Sequence, residues 1–193
     1  MTRFAELLNR LAYEHSRNAK LRLMTDYFHN TADPDRGFAL AALTGALKFT
    51  HAKPSLIRAL IAERVDPRLF DWSYDYVGDL SETVALLWPE PYHHNDSRNG
   101  VTGLHTPAPS LTDVIQSLGS LSKSEIPAQL ARWLDALDEP GRWALLKLVT
   151  GSLRIGVSAR LARTAAALLG KKELIEMEVL WPSLAPPYAD LFA

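Results

Sequence analysis

The feature that most limits the fold is a pair of helical periods joined by a glycine-edged loop, between Asp138 and Gly170. Asp138 can accept hydrogen bonds at a helix start, and Pro140 suits the first turn, where a missing N–H costs nothing. Trp143, Leu145, Leu146, Leu148 and Val149 give this helix an apolar side. Gly151 fits the left-handed position just past its end. Ser158 is the next N-cap, and a second helix runs to about Leu169 before Gly170 closes it. The spacing predicts a helix–loop–helix corner.

The same stretch is basic. From Pro140 to Lys172 it carries Arg142, Lys147, Arg154, Arg160, Arg163, Lys171 and Lys172 and no acidic residue, in a chain whose net charge is -1. A local concentration of positive charge on a neutral chain points to a polyanion partner. Gly151 and Gly156 let backbone approach a ligand surface. The helix start at Ser158 presents unpaired N–H groups and a positive dipole end, with Arg160 in its first turn. Arg154 adds a planar fork of donors suited to phosphate. Leu153 and Ile155 are expected to point the other way and anchor the loop. A phosphate backbone fits this set; an ordinary corner with solvated arginines has the same spacing.

Composition narrows the classes. The chain of 193 residues is long enough for a substantial core. Hydrophobic residues at 47% and charged residues at 22% are ordinary for a globular protein, so nothing argues for disorder. With no cysteine there is no disulfide framework and no thiolate metal site. Residues 1–17 carry charges every few positions and do not read as a signal peptide. No apolar run approaches membrane-spanning length, so no membrane partner is expected and a cytoplasmic location is the default expectation.

Taken in order, residues 3–15 form an amphipathic helix with Phe4, Leu7, Leu8, Leu11 and Ala12 on one face. A second helix runs from about Asn18 to His29, and Ser16, Arg17, Lys20 and Arg22 cluster at its start. Cations are unfavourable for a helix N-terminus, so something outside the helix must favour Arg17 and Lys20, or the turn is simply basic and exposed. Asp33 or Asp35 caps a helix over 36–43, and another helix follows over 54–65. Here the chain repeats itself: Thr44-Gly-Ala-Leu-Lys-Phe49 reads like Thr150-Gly-Ser-Leu-Arg-Ile155. Both follow an apolar helical run and lead into a new helix, which places Lys48 and Arg154 at equivalent points. A duplicated unit of this kind predicts an all-α, multi-helix domain with two pseudo-symmetric helix–loop–helix halves. Two such corners suit a ligand with its own two-fold character, such as duplex DNA.

Asp66, Asp71, Asp75, Asp79 and Glu82 make the next segment acidic, in roles read as capping and a solvated face. Asp79 or Ser81 caps a helix over 81–88. His93, His94 and His105 with Asp96 invite a metal reading, but paired histidines in the Pro-, Gly- and Asn-rich segment 89–110 read better as an exposed excursion, with Arg98 and Asn99 at its tip. No metal site is assigned. Helices are expected over 111–120, with Ser110 or Thr112 as cap, over 124–137, and over 173–180. The helical domain is therefore 1–180, and the proline-spaced tail 181–193 reads as a semi-rigid exit, a covered linker leading towards a further part that is not in this chain.

These residues carry a family resemblance. Leu148-Val-Thr-Gly-Ser-Leu-Arg-Ile-Gly-Val-Ser158 resembles the signature near the end of the N-terminal DNA-binding domain of ATP-dependent DNA ligases. Ser16-Arg17-Asn-Ala-Lys20, the Lys48–Leu56 corner, Val77-Gly-Asp-Leu80 and Ala185-Pro-Pro-Tyr-Ala-Asp-Leu-Phe192 are similar to further pieces of that family, in the same order. The resemblance implies an all-helical domain gripping duplex DNA, nicked in the working complex, across the minor groove during replication, repair or recombination. It implies that Gly151, Ser152, Arg154, Gly156, Ser158 and Arg160 meet the DNA backbone at one corner, Lys48, Thr50 and Lys53 at the other, and Ser16, Arg17 and Lys20 at a third point. Lys53-Pro54 departs from the glycine-containing pattern at that second corner. The family's nucleophile is the lysine of Lys-x-Asp-Gly, and none of Lys20, Lys48, Lys53, Lys123, Lys147, Lys171 or Lys172 stands in such a sequence. Catalysis, with its ATP and Mg, is thus expected in a catalytic core joined in cis and not in this chain. The alternative from the residues alone is a helical protein-interaction module with a basic face.

Overall fold

Capping side chains set the starts of half of the helices in the computed structural model, which describes residues 1–49, 53–90, 107–151, 153–170 and 174–192. In chain order the helices are α1 (Thr2–Tyr13), α2 (Arg17–Asn30), α3 (Asp35–Leu43), α4 (Pro54–Ala62), α5 (Pro67–Val77), α6 (Leu80–Leu87), α7 (Leu111–Ser120), α8 (Ile126–Ala136), α9 (Glu139–Thr150), α10 (Ala159–Leu169), α11 (Leu174–Leu180) and α12 (Ala189–Phe192). Among the described residues there is no strand. The fold is all-α, as the periodicity predicts. Ser16, Asp66, Asp79, Ser110, Asp138 and Ser158 each accept a backbone N–H in the first turn of the following helix. Each such cap is worth about 1 kcal/mol. Ser110 and Asp113 bond reciprocally, and the Ser110 hydroxyl holds the Asp113 carboxyl below its ordinary range.

Two helices organise the packing. α9 is buried from Gly141 to Val149 apart from the half-exposed Trp143, and α1, α6 and α8 lie against it. α10 packs on α2, α3 and α11. α1 touches both α2 and α9 and so joins the two groups. Phe4, Leu7, Leu8 and Leu11 of α1 are buried, each contributing roughly 1.5–3 kcal/mol relative to exposure.

Three local expectations change. α3 begins at Asp35 with Pro34 at its cap position and no side-chain cap. Asp33 pairs with Arg36 instead, and Asp35 accepts the Thr112 N–H at 2.9 Å and the Thr112 hydroxyl, tying α3 to α7. α4 stops at Ala62 rather than 65. α8 starts at Ile126, because Glu125 accepts the Ser122 N–H and hydroxyl and closes a turn before the helix.

The tail folds back on the body. After a 3-10 turn at Trp181–Ser183, Tyr188 and Leu191 are buried, and the Tyr188 ring centroid lies 4.8 Å from that of Trp181. The Phe192 ring meets Phe28 and carries the Arg36 guanidinium over its face at 4.3 Å. Gly37 of α3 is required here, since a Cβ would collide with the Pro187 carbonyl. Phe192 thus lies against α2 and α3 of the same chain, and Trp181 lies beneath Arg163 of α10.

Candidate nucleic-acid interface

The basic stretch does not form one surface. Arg142 is only 2% exposed: its Nε donates to the Leu134 carbonyl at 2.8 Å, and one terminal nitrogen donates to the Trp88 carbonyl and to Glu90 at 3.1 Å. Lys147 is 6% exposed and donates to the Asp79 carboxylate at 2.6 Å. Burial alone would raise the Asp79 pKa. The bonds from Lys147 and from the Glu82 and Ser81 N–H groups outweigh it and hold the carboxyl below its ordinary value of 3.8. Arg163 bonds Glu178 at 3.1 Å and lies over the Trp181 ring. Arg142 and Lys147 therefore belong to the core, which corrects their place in the expected basic stripe. Lys171 and Lys172 lie outside the described residues.

Beyond Gly151 the picture reverses. Gly151 closes α9 in the left-handed region at φ 68°, and the loop that follows is held by buried Ile155 and half-buried Leu153. Arg154 is exposed and itself takes φ 47°. For a residue with a side chain that conformation costs roughly 1–2 kcal/mol, so the surroundings must impose it. Gly156 follows at φ 65°, and Ser158 caps α10 by accepting the Leu161 N–H. Ser152 lies outside the described residues.

The loop is also bonded from the other end of the chain. Lys20, in the first turns of α2, is 8% exposed, and its ammonium donates to the Ile155 carbonyl at 2.8 Å and the Gly156 carbonyl at 3.0 Å. A Cβ on Gly156 would stand 2.5 Å from the Lys20 Nζ, so this glycine is needed for space as well as for its backbone angle. Charge-assisted bonds of this kind contribute about 1.5–3 kcal/mol each.

Beside this contact, the starts of the packed helices α2 and α10 stand around a hollow of about 590 Å³. His15, Arg17, Lys20, Gly156, Ser158, Arg160, Leu161 and Thr164 line it. Neither helix has an acidic residue in its first turn, while Arg17 and Arg160 stand exposed in those turns. Two positive dipole ends and added cations repel one another, an arrangement an anion relieves. His15, Leu161 and Thr164 were not singled out as site residues in the sequence. The spacing of Arg17, His15 and Ser16 around a helix start is the only signal that could have found the first of them.

The second corner shares the entry geometry of the first. Thr44 and Thr150 both end their helices with a hydroxyl bonded four residues back, to Leu40 at 2.8 Å and to Leu146 at 2.9 Å. The next residues, Gly45 and Gly151, have φ 72° and 68°. The exits differ: Ser158 caps α10, whereas Lys53 at the start of α4 makes no side-chain cap bond. Lys48 and Lys53 are exposed and are not among the residues lining the hollow. Thr50 lies outside the described residues, as do His93, His94, His105, Asp96, Arg98 and Asn99.

Among the described residues no group of histidines, aspartates and glutamates is placed to hold a metal ion, and no helix is long and apolar enough to cross a membrane. No known protein family matches the chain, and no curated protein sequence matches it.

Proposed function

We propose that the chain binds duplex DNA without sequence preference, through sugar–phosphate contacts across the minor groove, as the DNA-binding domain of a nick-sealing ATP-dependent ligase. The observation that carries the reading is the meeting of the α2 and α10 starts, with Arg17 and Arg160 in their first turns and Arg154 exposed on the adjoining loop. Helix N–H groups and guanidinium forks both recognise phosphate oxygens and carry no base information. The ligase assignment rests on the Leu148–Ser158 likeness and the order of the other pieces; the chemistry of joining belongs to a catalytic core that supplies the Lys-x-Asp-Gly lysine, ATP and Mg. With Lys48 and Lys53 engaged as well, about five phosphates are neutralised, and log affinity falls against log salt with a slope near -4 to -5. Fluorescence anisotropy of nicked and intact duplexes at several salt concentrations tests this. A salt-insensitive curve, or an affinity that varies strongly with sequence, contradicts it.

A protein-interaction module is the competing reading, and one observation favours it on a different face. Trp72 and Tyr76 of α5 are 72% and 93% exposed beside the acidic Asp71 and Asp75. An acidic, aromatic face suits a protein and repels a polyanion. If the basic hollow served a protein instead, duplex DNA would fail to compete for it.

A further inference from the structure

We infer that Lys20 is a positioning residue for the Arg154 loop and not itself a phosphate contact, an assignment that rests on the duplex-binding reading above. The family likeness places Lys20 among the residues that touch DNA. Its ammonium is instead turned inward and committed: two of its three protons go to the Ile155 and Gly156 carbonyls, and the residue is 8% exposed. Those carbonyls belong to the two residues immediately after Arg154, which is held at φ 47°. The bond spans 135 positions of sequence, so it couples the start of α2 to the entry of α10 across the whole fold. With Lys20 in place the loop presents Arg154 outward in one conformation, before any ligand arrives. Without it, two carbonyls lose their donor and the strained residue relaxes. Binding by a pre-set loop avoids the ordering cost that a free loop meets on contact. Gly156 belongs to the same device, because a side chain there occupies the position of the Lys20 Nζ.

The test is a double-mutant cycle on duplex DNA, read as both affinity and salt slope, with folding checked by circular dichroism. One lost phosphate contact lowers the slope by about 0.9 and the affinity at 0.1 M salt by about eightfold. Arg154→Ala is expected to show that loss, and Lys20→Met to match it. The Arg154→Ala/Lys20→Met pair is expected to be no worse than either alone. A pair that loses a further eightfold, and a further 0.9 of slope, overturns the inference by making Lys20 an independent contact. Gly156→Ala keeps the ammonium's charge but displaces it. It is expected to weaken binding as Lys20→Met does, and wild-type affinity in this variant overturns the inference too. A merely structural lysine would lower the melting temperature and leave the slope of the folded protein unchanged, which also counts against it. If Arg154→Ala binds like wild type, the duplex reading falls at that corner and the inference with it, a result distinct from additivity.

Discussion

Along α9, the cations of the basic run are buried and met by groups from distant parts of the chain, whereas past Gly151 Arg154 and Arg160 stand in water. Arg142 and Lys147 reach Glu90 and Asp79, and Arg142 also satisfies the Leu134 and Trp88 carbonyls. Arg163, farther along α10, is intermediate, half-buried against Glu178 and Trp181. The residues are alike in type and neighbours in sequence, yet one set closes the core and the other offers charge outward. A basic run is therefore not a basic surface until the partner of each cation is known.

If that division holds, the two sets respond oppositely to substitution. Arg142→Met should have the largest effect: it keeps an apolar stem but strips the donors from two carbonyls. A loss of about 2–4 kcal/mol follows, which for a chain of this size lowers the melting temperature by roughly 5–15 °C. The folded fraction should bind DNA as wild type does. Calorimetry and anisotropy on the same preparation check both halves of the statement.

Lys147→Met should cost less, about 1–2 kcal/mol, because 32% of the Asp79 side chain remains in contact with water and can take up hydration. It also has a pH signature. The Asp79 carboxyl is held below its ordinary 3.8 in the folded chain. The pair's contribution is thus fully present above that value and is lost as pH falls through the lower, folded one. Acid unfolding followed by circular dichroism should show this loss in the wild type and a shallower acid arm in Lys147→Met. Equal acid arms would mean that the pair is not coupled in solution.

Smallest in free energy, and opposite in kind, is Arg160→Ala. Stability should change by no more than about 0.5 kcal/mol, since the side chain is exposed. Affinity for duplex DNA should fall about eightfold at 0.1 M salt, the loss expected of one phosphate contact. Unchanged affinity with lowered stability would erase the distinction between the two sets.

The helices and their caps were legible because the determinants are local. Asp138, Ser158 and Gly151 act within a few residues of themselves, and so do Thr44 and Thr150 at the paired corners. Long-range commitments were not legible. Nothing near Lys147 announces Asp79, and nothing near Lys20 announces the Ile155 carbonyl. Asp35 looked like a cap because the residue type favours one, yet the competing donor Thr112 lies on another helix. The candidate site was readable as two separate basic turns, at Ser16–Lys20 and at Gly151–Arg160. That they share one hollow follows from α2 packing on α10, which no local pattern encodes.

The central claim is that the exposed cations around the α2 and α10 starts act together on a phosphate backbone. The salt dependence of duplex binding by an Arg17→Ala, Arg154→Ala, Arg160→Ala triple variant tests it most directly, at a temperature where wild type and variant are both folded. The account predicts a slope shallower by about 2.7, three contacts' worth, with a melting temperature close to wild type. An unchanged slope in a folded triple variant would contradict it.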